Sequence, residues 1–217
     1  MLVLASASPR RKEIFASRGI YPLIIPSNAE EKLPEGAKLS PEETAVYLAD
    51  LKASAVAGEI GADRHETELS GVDRLMVVGV DTIVFRGEII EKPRDEADAL
   101  RILRALANGI HTVISGVSLI EMRRQEGRQA GSGTGHRPTY RVVGGEKFYD
   151  STDVAFGDYS DDEILEYVRS EQPYDKSGSY AIQSSWGRHV RKIDGSVENV
   201  IGLPVDRILG ALGLVKQ

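Results

Sequence analysis

The chemistry this sequence can perform rests on a small set of charged residues and one serine-rich turn. Asp81 follows the apolar run Leu75-Met76-Val77-Val78-Gly79-Val80, which has the character of a central strand buried on both faces. Its backbone is therefore expected to lie deep while its side chain opens at the strand's exit, where ligands collect in α/β sheets. A carboxylate in such a place needs a cation or a proton. An aspartate capping a local turn with Thr82 fits the same residues. Lys92, in Glu91-Lys92-Pro93, sits on a proline-stiffened segment one hairpin beyond Asp81 and can act as a point charge on phosphate; an ordinary turn lysine reads the same way. Lys52 lies among the apolar positions of a long helix, so it either reaches a ligand or snorkels to water. Glu30 and Glu31 are adjacent loop carboxylates, able to give oxygen ligands to a divalent metal or simply to be solvated.

Ser6-Ala7-Ser8-Pro9-Arg10-Arg11 adds a place for an anion. Leu2 to Ala5 reads as a short buried strand, and the residues after Pro9 read as a helix closed by Gly19. Ser8 is the expected N-cap, its hydroxyl accepting from a first-turn amide, with Pro9 at the first helical position. Arg10 and Arg11 then stand at the positive end of the helix dipole, which disfavours them by about 0.3–1 kcal/mol. Free amides, serine hydroxyls and two guanidinium groups at a strand-to-helix turn suit a phosphate. A capped surface helix with solvated arginines is the plainer reading. His65, His111, His136 and His189 show no metal-ligand spacing, and His111 is read as a hairpin or core residue. No nucleophile-elbow motif is present. A phosphate cradle, cations and carboxylates are the parts of phosphoryl chemistry, which needs charge neutralisation and a positioned water rather than a protein nucleophile.

Composition narrows the partners. A net charge of -6 argues against a general nucleic-acid polymer or membrane-surface binder. With no cysteine there is no disulfide, thiol nucleophile or thiolate metal site. No apolar run approaches membrane-spanning length, and the amino terminus runs directly into Arg10-Arg11-Lys12 instead of a signal-like apolar region. A cytoplasmic location is expected.

The elements that must position these residues alternate irregularly. Tyr21–Pro26 reads as a strand. Ser40-Pro41-Glu42-Glu43 opens a helix with a capping box, and Ser160-Asp161-Asp162-Glu163 opens another. Residues 58–74 read as loop or helix tail. The strand through Phe85 turns at Arg86-Gly87-Glu88 into Ile89-Ile90, and Asp95 to Leu106 reads as a helix with Ala97, Leu100, Leu103 and Leu106 on one side. His111–Ile120 and Lys147–Phe156 are expected as paired strands around a long, mobile hairpin insertion at about 121–145. Its Gly133-Thr134-Gly135 fails the strand-before, helix-after test for a nucleotide fingerprint. Residues 173–180 read as a loop into Ala181-Ile182-Gln183, His189–Ile193 as a strand, Asn199–Pro204 as a loop, and Val205–Leu212 as the last helix. The pattern predicts an α/β fold with a mixed sheet, not a doubly wound dinucleotide-binding domain.

Five segments recur in a familiar order: Ser6–Arg11, Val78-Gly79-Val80-Asp81-Thr82-Ile83-Val84, Glu91-Lys92-Pro93, Asp175-Lys176-Ser177-Gly178-Ser179-Tyr180-Ala181-Ile182-Gln183, and Val200-Ile201-Gly202-Leu203-Pro204. With them the chain resembles the Maf family of nucleoside triphosphate pyrophosphatases, historically called septum-formation inhibitors. The resemblance implies one domain over 1–217 and an elongated, twisted mixed sheet flanked by helices, in two lobes with a central cleft. It also implies a chain that often pairs as a homodimer. It implies hydrolysis of a nucleoside triphosphate to the monophosphate and pyrophosphate, assisted by Mg²⁺ or Mn²⁺. Asp81 matches the family's proton acceptor. Arg11, Lys52 and Lys92 match triphosphate-holding positions, with Ser8 beside them, and Glu31 (or Glu30) matches the acidic position that, with Asp81, lies near metal. Arg10, Thr82 and Gln183 match positions tied to base selection, and Thr at position 82 resembles the branch acting on dTTP and UTP. Ser177, Ser179 and Ala181 depart from the family's usual alanine, alanine and glycine. Two other readings are a nucleotide-binding regulator of cell division with little catalysis, and a purine-preferring housecleaning pyrophosphatase.

Overall fold

The fold is seen in a computed structural model that describes residues 1–62, 64, 65, 67–125 and 139–214. In chain order the elements are β1 (Leu2–Leu4), α1 (Pro9–Ser17), β2 (Leu23–Ile24), α2 (Pro41–Gly61), β3 (Arg74–Phe85), β4 (Ile89–Ile90), α3 (Glu96–Leu106), β5 (Ile110–Gln125), β6 (Thr139–Phe156), α4 (Asp161–Glu171), β7 (Val190–Asp194), α5 (Val197–Ile201) and α6 (Val205–Ala211). Among the described residues seven strands form a mixed sheet in the order β2-β1-β3-β5-β6-β7, with β4 paired to β3. β1 runs parallel to β2 and β3. β4 is antiparallel to β3, and β7 to β6. The α/β class with a mixed sheet is what the alternation of patterns predicts.

The chain divides into two compact units, Met1–Ala37 with Val46–Val80 and Gly116–Phe148, and Lys38–Ala45 with Asp81–Ser115 and Tyr149–Gln217. In the first, β1 lies in register with β3, Val3 opposite Val77. Val3, Val77, Leu75 and Met122 are buried with Ala53, Val56 and Ile60 of α2. The small residues of α2 explain how close it comes to β3. A Cβ on Gly79 would overlap the Ala49 carbonyl oxygen and come within 2.8 Å of the Ala53 Cβ, so only glycine admits this approach.

In the second unit Val84 of β3 and Phe156 of β6 are buried with Ala99, Ile102, Leu103 and Leu106 of α3, Ile164, Tyr167 and Val168 of α4, and Tyr180 and Trp186. Both expected capping boxes form. The Ser40 amide donates to Glu43 Oε2 at 2.7 Å while Ser40 Oγ accepts from the Glu43 amide at 3.1 Å, and Ser160 with Glu163 repeats the exchange.

Several boundaries differ from those read in the sequence. Residues 121–125 and 139–145 belong to β5 and β6 rather than to a loop; residues 126–138 of the expected insertion lie outside the described residues. Consecutive residues 141–147 are all exposed, so the two-residue alternation that marks a half-buried strand is missing there. α2 continues to Gly61, β2 shrinks to two residues, and 173–175 and 177–179 form 3₁₀ turns. Residues expected as loop include α5, capped by Ser196 Oγ accepting from the Asn199 amide at 3.1 Å. The buried face of α3 is also rotated. Ala97 is exposed, and Ala99, Ile102, Leu103 and Leu106 line the core beside Asp98. That carboxylate is tolerated because Arg94 and Arg101 reach it at 3.3 and 2.8 Å.

Candidate functional site

Of the residues singled out in the sequence, Ser8, Arg10, Arg11, Glu31 and Lys52 fall in the first unit and Asp81, Thr82, Lys92 and Gln183 in the second. In the first unit the turn from β1 into α1 is organised by Ser6. Its buried hydroxyl accepts from the Ser8 amide at 3.2 Å and from Arg11 Nη1 at 3.0 Å. Ser8 does take the N-cap position with Pro9 first in the helix, but its side chain makes no capping hydrogen bond. This corrects the expected cap: Ser6 does the local tying, and the Ser8 hydroxyl is not spent on α1. The far end of α1 closes at Gly19, with φ of 71°. The Gly19 amide donates to Ala16 O at 2.9 Å and the Ile20 amide to Phe15 O at 3.0 Å, the paired closure that a left-handed glycine permits. Arg10 and Arg11 are thereby carried on a helix fixed at both ends, each half-buried.

Lys52, on α2, has a side chain only 13% exposed, and its Nζ lies 3.0 Å from Glu31 Oε1. It does not snorkel. Glu30 instead pairs with Lys32, both largely in solvent. The two adjacent carboxylates, equivalent in the sequence, are thus separated by the fold: Glu31 meets the candidate lysine.

In the second unit Asp81 is 7% exposed, inside β3 where its apolar run ends. The next side chain is held by Ser115, which the sequence did not single out, and by Gly202 of the Val200–Pro204 segment. Thr82 Oγ1 lies 2.9 Å from Ser115 Oγ and 3.4 Å from the Gly202 carbonyl oxygen. Ser115 is fully buried on β5. Gly202 follows α5, which is pinned by buried Asn199, whose Nδ2 donates to Val113 O at 3.1 Å and to Thr152 Oγ1 at 3.0 Å. Ser115 sits in an ordinary-looking strand, 33 residues from Thr82, so only the sheet reveals the pair.

Lys92 is exposed and lines a pocket of about 330 Å³ together with Arg86, Arg94 and Arg101. Asp98 draws Arg94 and Arg101 to itself within this pocket. Gln183 is exposed at the turn after Tyr180. Among the described residues no group of three or more His, Asp or Glu side chains is arranged to hold a metal ion.

His111 is a core residue, as one of its two readings had it, but with a partner that spacing does not disclose. It is 1% exposed, and its Nε2 lies 2.7 Å from the Tyr180 hydroxyl. Burial, aided by the Arg86 charge and opposed by Asp153, pushes its pKa down to about 4. Burial likewise pushes the Tyr180 hydroxyl far up, so both partners are neutral at pH 7.

The fold agrees with what comparison with known proteins finds. The Maf-like protein family matches residues 1–214, and the chain belongs to the Maf family. It is 38% identical over 212 residues to the dTTP/UTP pyrophosphatase of Bacillus velezensis, covering 97% of this chain and 94% of that protein. It is 38% identical over 211 residues to the dTTP/UTP pyrophosphatase of Thermococcus gammatolerans, covering 96% and 93%. A human relative, named probable bifunctional dTTP/UTP pyrophosphatase/methyltransferase protein, is 36% identical over 206 residues, covering 94% of this chain and 30% of the human protein. No helix among the described residues is long and apolar enough to cross a membrane.

Proposed function

We propose that this chain hydrolyses nucleoside triphosphates, with dTTP and UTP preferred, to the nucleoside monophosphate and pyrophosphate. The observation that carries the reading is a carboxylate, Asp81, only 7% exposed inside β3, in a chain similar over nearly its full length to proteins named dTTP/UTP pyrophosphatase. Asp81 accepts a proton from water as the water oxygen forms its bond to the α-phosphorus. The bond from that phosphorus to the bridging oxygen breaks, and pyrophosphate leaves. No covalent enzyme intermediate is needed. The displaced charge falls on the phosphate oxygens, where Arg11, Lys52 and Lys92 hold the triphosphate and Ser8 donates beside them. Arg10, Thr82 and Gln183 read the base. The Thr82 hydroxyl, shared with Ser115 and Gly202, offers a fixed polar direction for that reading.

The donors suit a Mg²⁺ or Mn²⁺ ion that arrives with the triphosphate, since such ions are commonly held by one or two carboxylates together with substrate phosphates. Glu31 and Asp81 would hold it, and the ion would neutralise charge on the phosphate oxygens.

The test is pyrophosphate release over a panel of nucleotides at fixed Mg²⁺, by the wild type and by Asp81→Asn. Loss of a general base is expected to lower kcat for dTTP by about 10²–10⁴-fold, with nucleotide binding retained. Wild-type turnover in Asp81→Asn would remove Asp81 from the mechanism. Release from no nucleotide would favour a regulator that binds without catalysis, and faster release from purines would overturn the base preference.

A further inference from the structure

Gln183 lies on a segment whose conformation is unusually constrained for a turn. Gly178 has φ of 74°, and a Cβ there would come within 3.0 Å of Val84. Ser179 follows with φ of 61°, a conformation that side-chain-bearing residues rarely adopt. The next residues are tied down by two buried tyrosine hydroxyls, one the segment's own and one reaching in from α4. Tyr180 itself is 7% exposed, and its hydroxyl meets His111 Nε2 of β5 at 2.7 Å. Tyr167 of α4, 2% exposed, accepts at its hydroxyl from the Ala181 amide at 3.2 Å. Ser184 closes the turn, its Oγ donating to Ala181 O at 2.7 Å and accepting from the Trp186 amide at 3.2 Å. Gln183 stands between these anchors with its own side chain exposed.

The cost of this arrangement argues for a purpose beyond packing. Among the described residues His111 Nδ1 is buried without a hydrogen-bond partner. Whichever ring nitrogen carries the proton, the Nε2 contact to Tyr180 is therefore the imidazole's only polar satisfaction among those residues. A core built for stability alone is better served by an apolar side chain at this position. The rings are also stacked to hold one orientation: Tyr180 lies edge-on to His111 at 5.4 Å and to Phe156 at 4.9 Å.

We propose that His111, Tyr180 and Tyr167 are positioning residues for base selection, two hydroxyl tethers that fix where the Ala181–Ser184 turn presents Gln183. The proposal rests on the reading that Gln183 contacts the base. The tethers touch no reacting atom, so they govern which nucleotide binds and not how fast the bound one is cleaved.

Tyr180→Phe keeps the ring and removes one tether; Tyr167→Phe removes the other. Steady-state kinetics with dTTP, UTP, GTP and ATP are compared with melting by circular dichroism. Each variant is expected to reduce the ratio of kcat/KM for dTTP over GTP by about 3- to 10-fold, the loss of one neutral hydrogen bond. The change enters through KM, with kcat for dTTP near wild type. Leu106→Ala is the control, opening a cavity in the same buried cluster from α3 at a side chain that makes no hydrogen bond: it lowers Tm and leaves the ratio unchanged. A folded Tyr180→Phe with wild-type discrimination, or with kcat reduced equally for every nucleotide, overturns the proposal. So does a Leu106→Ala variant that shifts the ratio as much. A wild type that releases no pyrophosphate from any nucleotide would instead sink the pyrophosphatase reading itself, a result the variants are not needed to see.

Discussion

His111 should make the second unit acid-sensitive in a way that a single substitution removes. The imidazole is 1% exposed, packed against Phe156 and Tyr180. The charged groups acting on it are the Arg86 guanidinium, which opposes protonation, and the Asp153 carboxylate, which favours it only in part. Its pKa falls from 6.5 to about 4 in the fold. The sign follows directly. Between those values the unfolded chain takes up a proton that the folded chain refuses, so stability is complete above about pH 6.5 and is lost as the pH falls toward 4. The whole displacement is worth about 3 kcal/mol, of which about 2 kcal/mol disappears between pH 7 and pH 5. Trp186, the chain's sole tryptophan, is 1% exposed in the same buried cluster as Tyr180, so its fluorescence reports unfolding of this unit directly. Urea titrations at pH 7 and pH 5 should show the wild type losing about 2 kcal/mol more than His111→Gln, whose amide can still meet Tyr180 but does not titrate. His189, held below its usual pKa by burial, is present in both proteins and cancels. Equal losses in the two proteins would mean that His111 is already able to charge inside the fold.

Two further outcomes test the first unit. Gly79→Ala should lower Tm by about 2–12 °C in calorimetry, an overpacking penalty of about 1–3 kcal/mol set by the Ala49 carbonyl and Ala53. Gly58→Ala, at an exposed α2 position with nothing within 4 Å of the added carbon, should raise stability by about 0.5–1 kcal/mol; if both fall alike, the close approach of α2 to β3 is not the cause. Lys52→Met should lower kcat/KM for dTTP by about 10- to 100-fold, the loss of a charge-assisted hydrogen bond worth about 1.5–3 kcal/mol, without moving the Mg²⁺ midpoint. Glu31→Gln should raise that midpoint, and a lysine variant that raises it equally would show that the pair acts only as an ion pair.

What was legible in the sequence was local chemistry. Both capping boxes can be read directly because donor and acceptor lie three residues apart, and β3 can be read because Leu75–Val80 and Ile83–Phe85 are apolar on either side of Asp81-Thr82. The outer halves of β5 and β6 hide for the opposite reason: their exposed Arg, Glu and Gly positions carry no alternation, and the pairing that makes them strands is invisible to periodicity. α5 hides because one turn is too short to show a helical period. The site follows the same division. Asp81 declares itself as a carboxylate breaking an apolar run, and Lys92 and the Ser6–Arg11 turn by residue type beside an element's end. The features that give them orientation mostly join residues far apart in the chain: Lys52 with Glu31, Thr82 with Ser115, His111 with Tyr180.

That division has a consequence for specificity. Residues that neutralise phosphate need charge and reach, and charge is readable from type alone. Residues that choose a base need a fixed direction, and on the proposed function direction here would come from buried neutral groups. Thr82 takes its direction from a hydroxyl on another strand and a carbonyl after α5, and the Gln183 turn takes its own from two tyrosines. Ser179, where the resemblance leads one to expect alanine, places a buried hydroxyl without a partner at the hinge of that turn. On the proposed function, such a departure would shift base preference and spare the phosphate-holding residues, because it bears on the turn that presents Gln183.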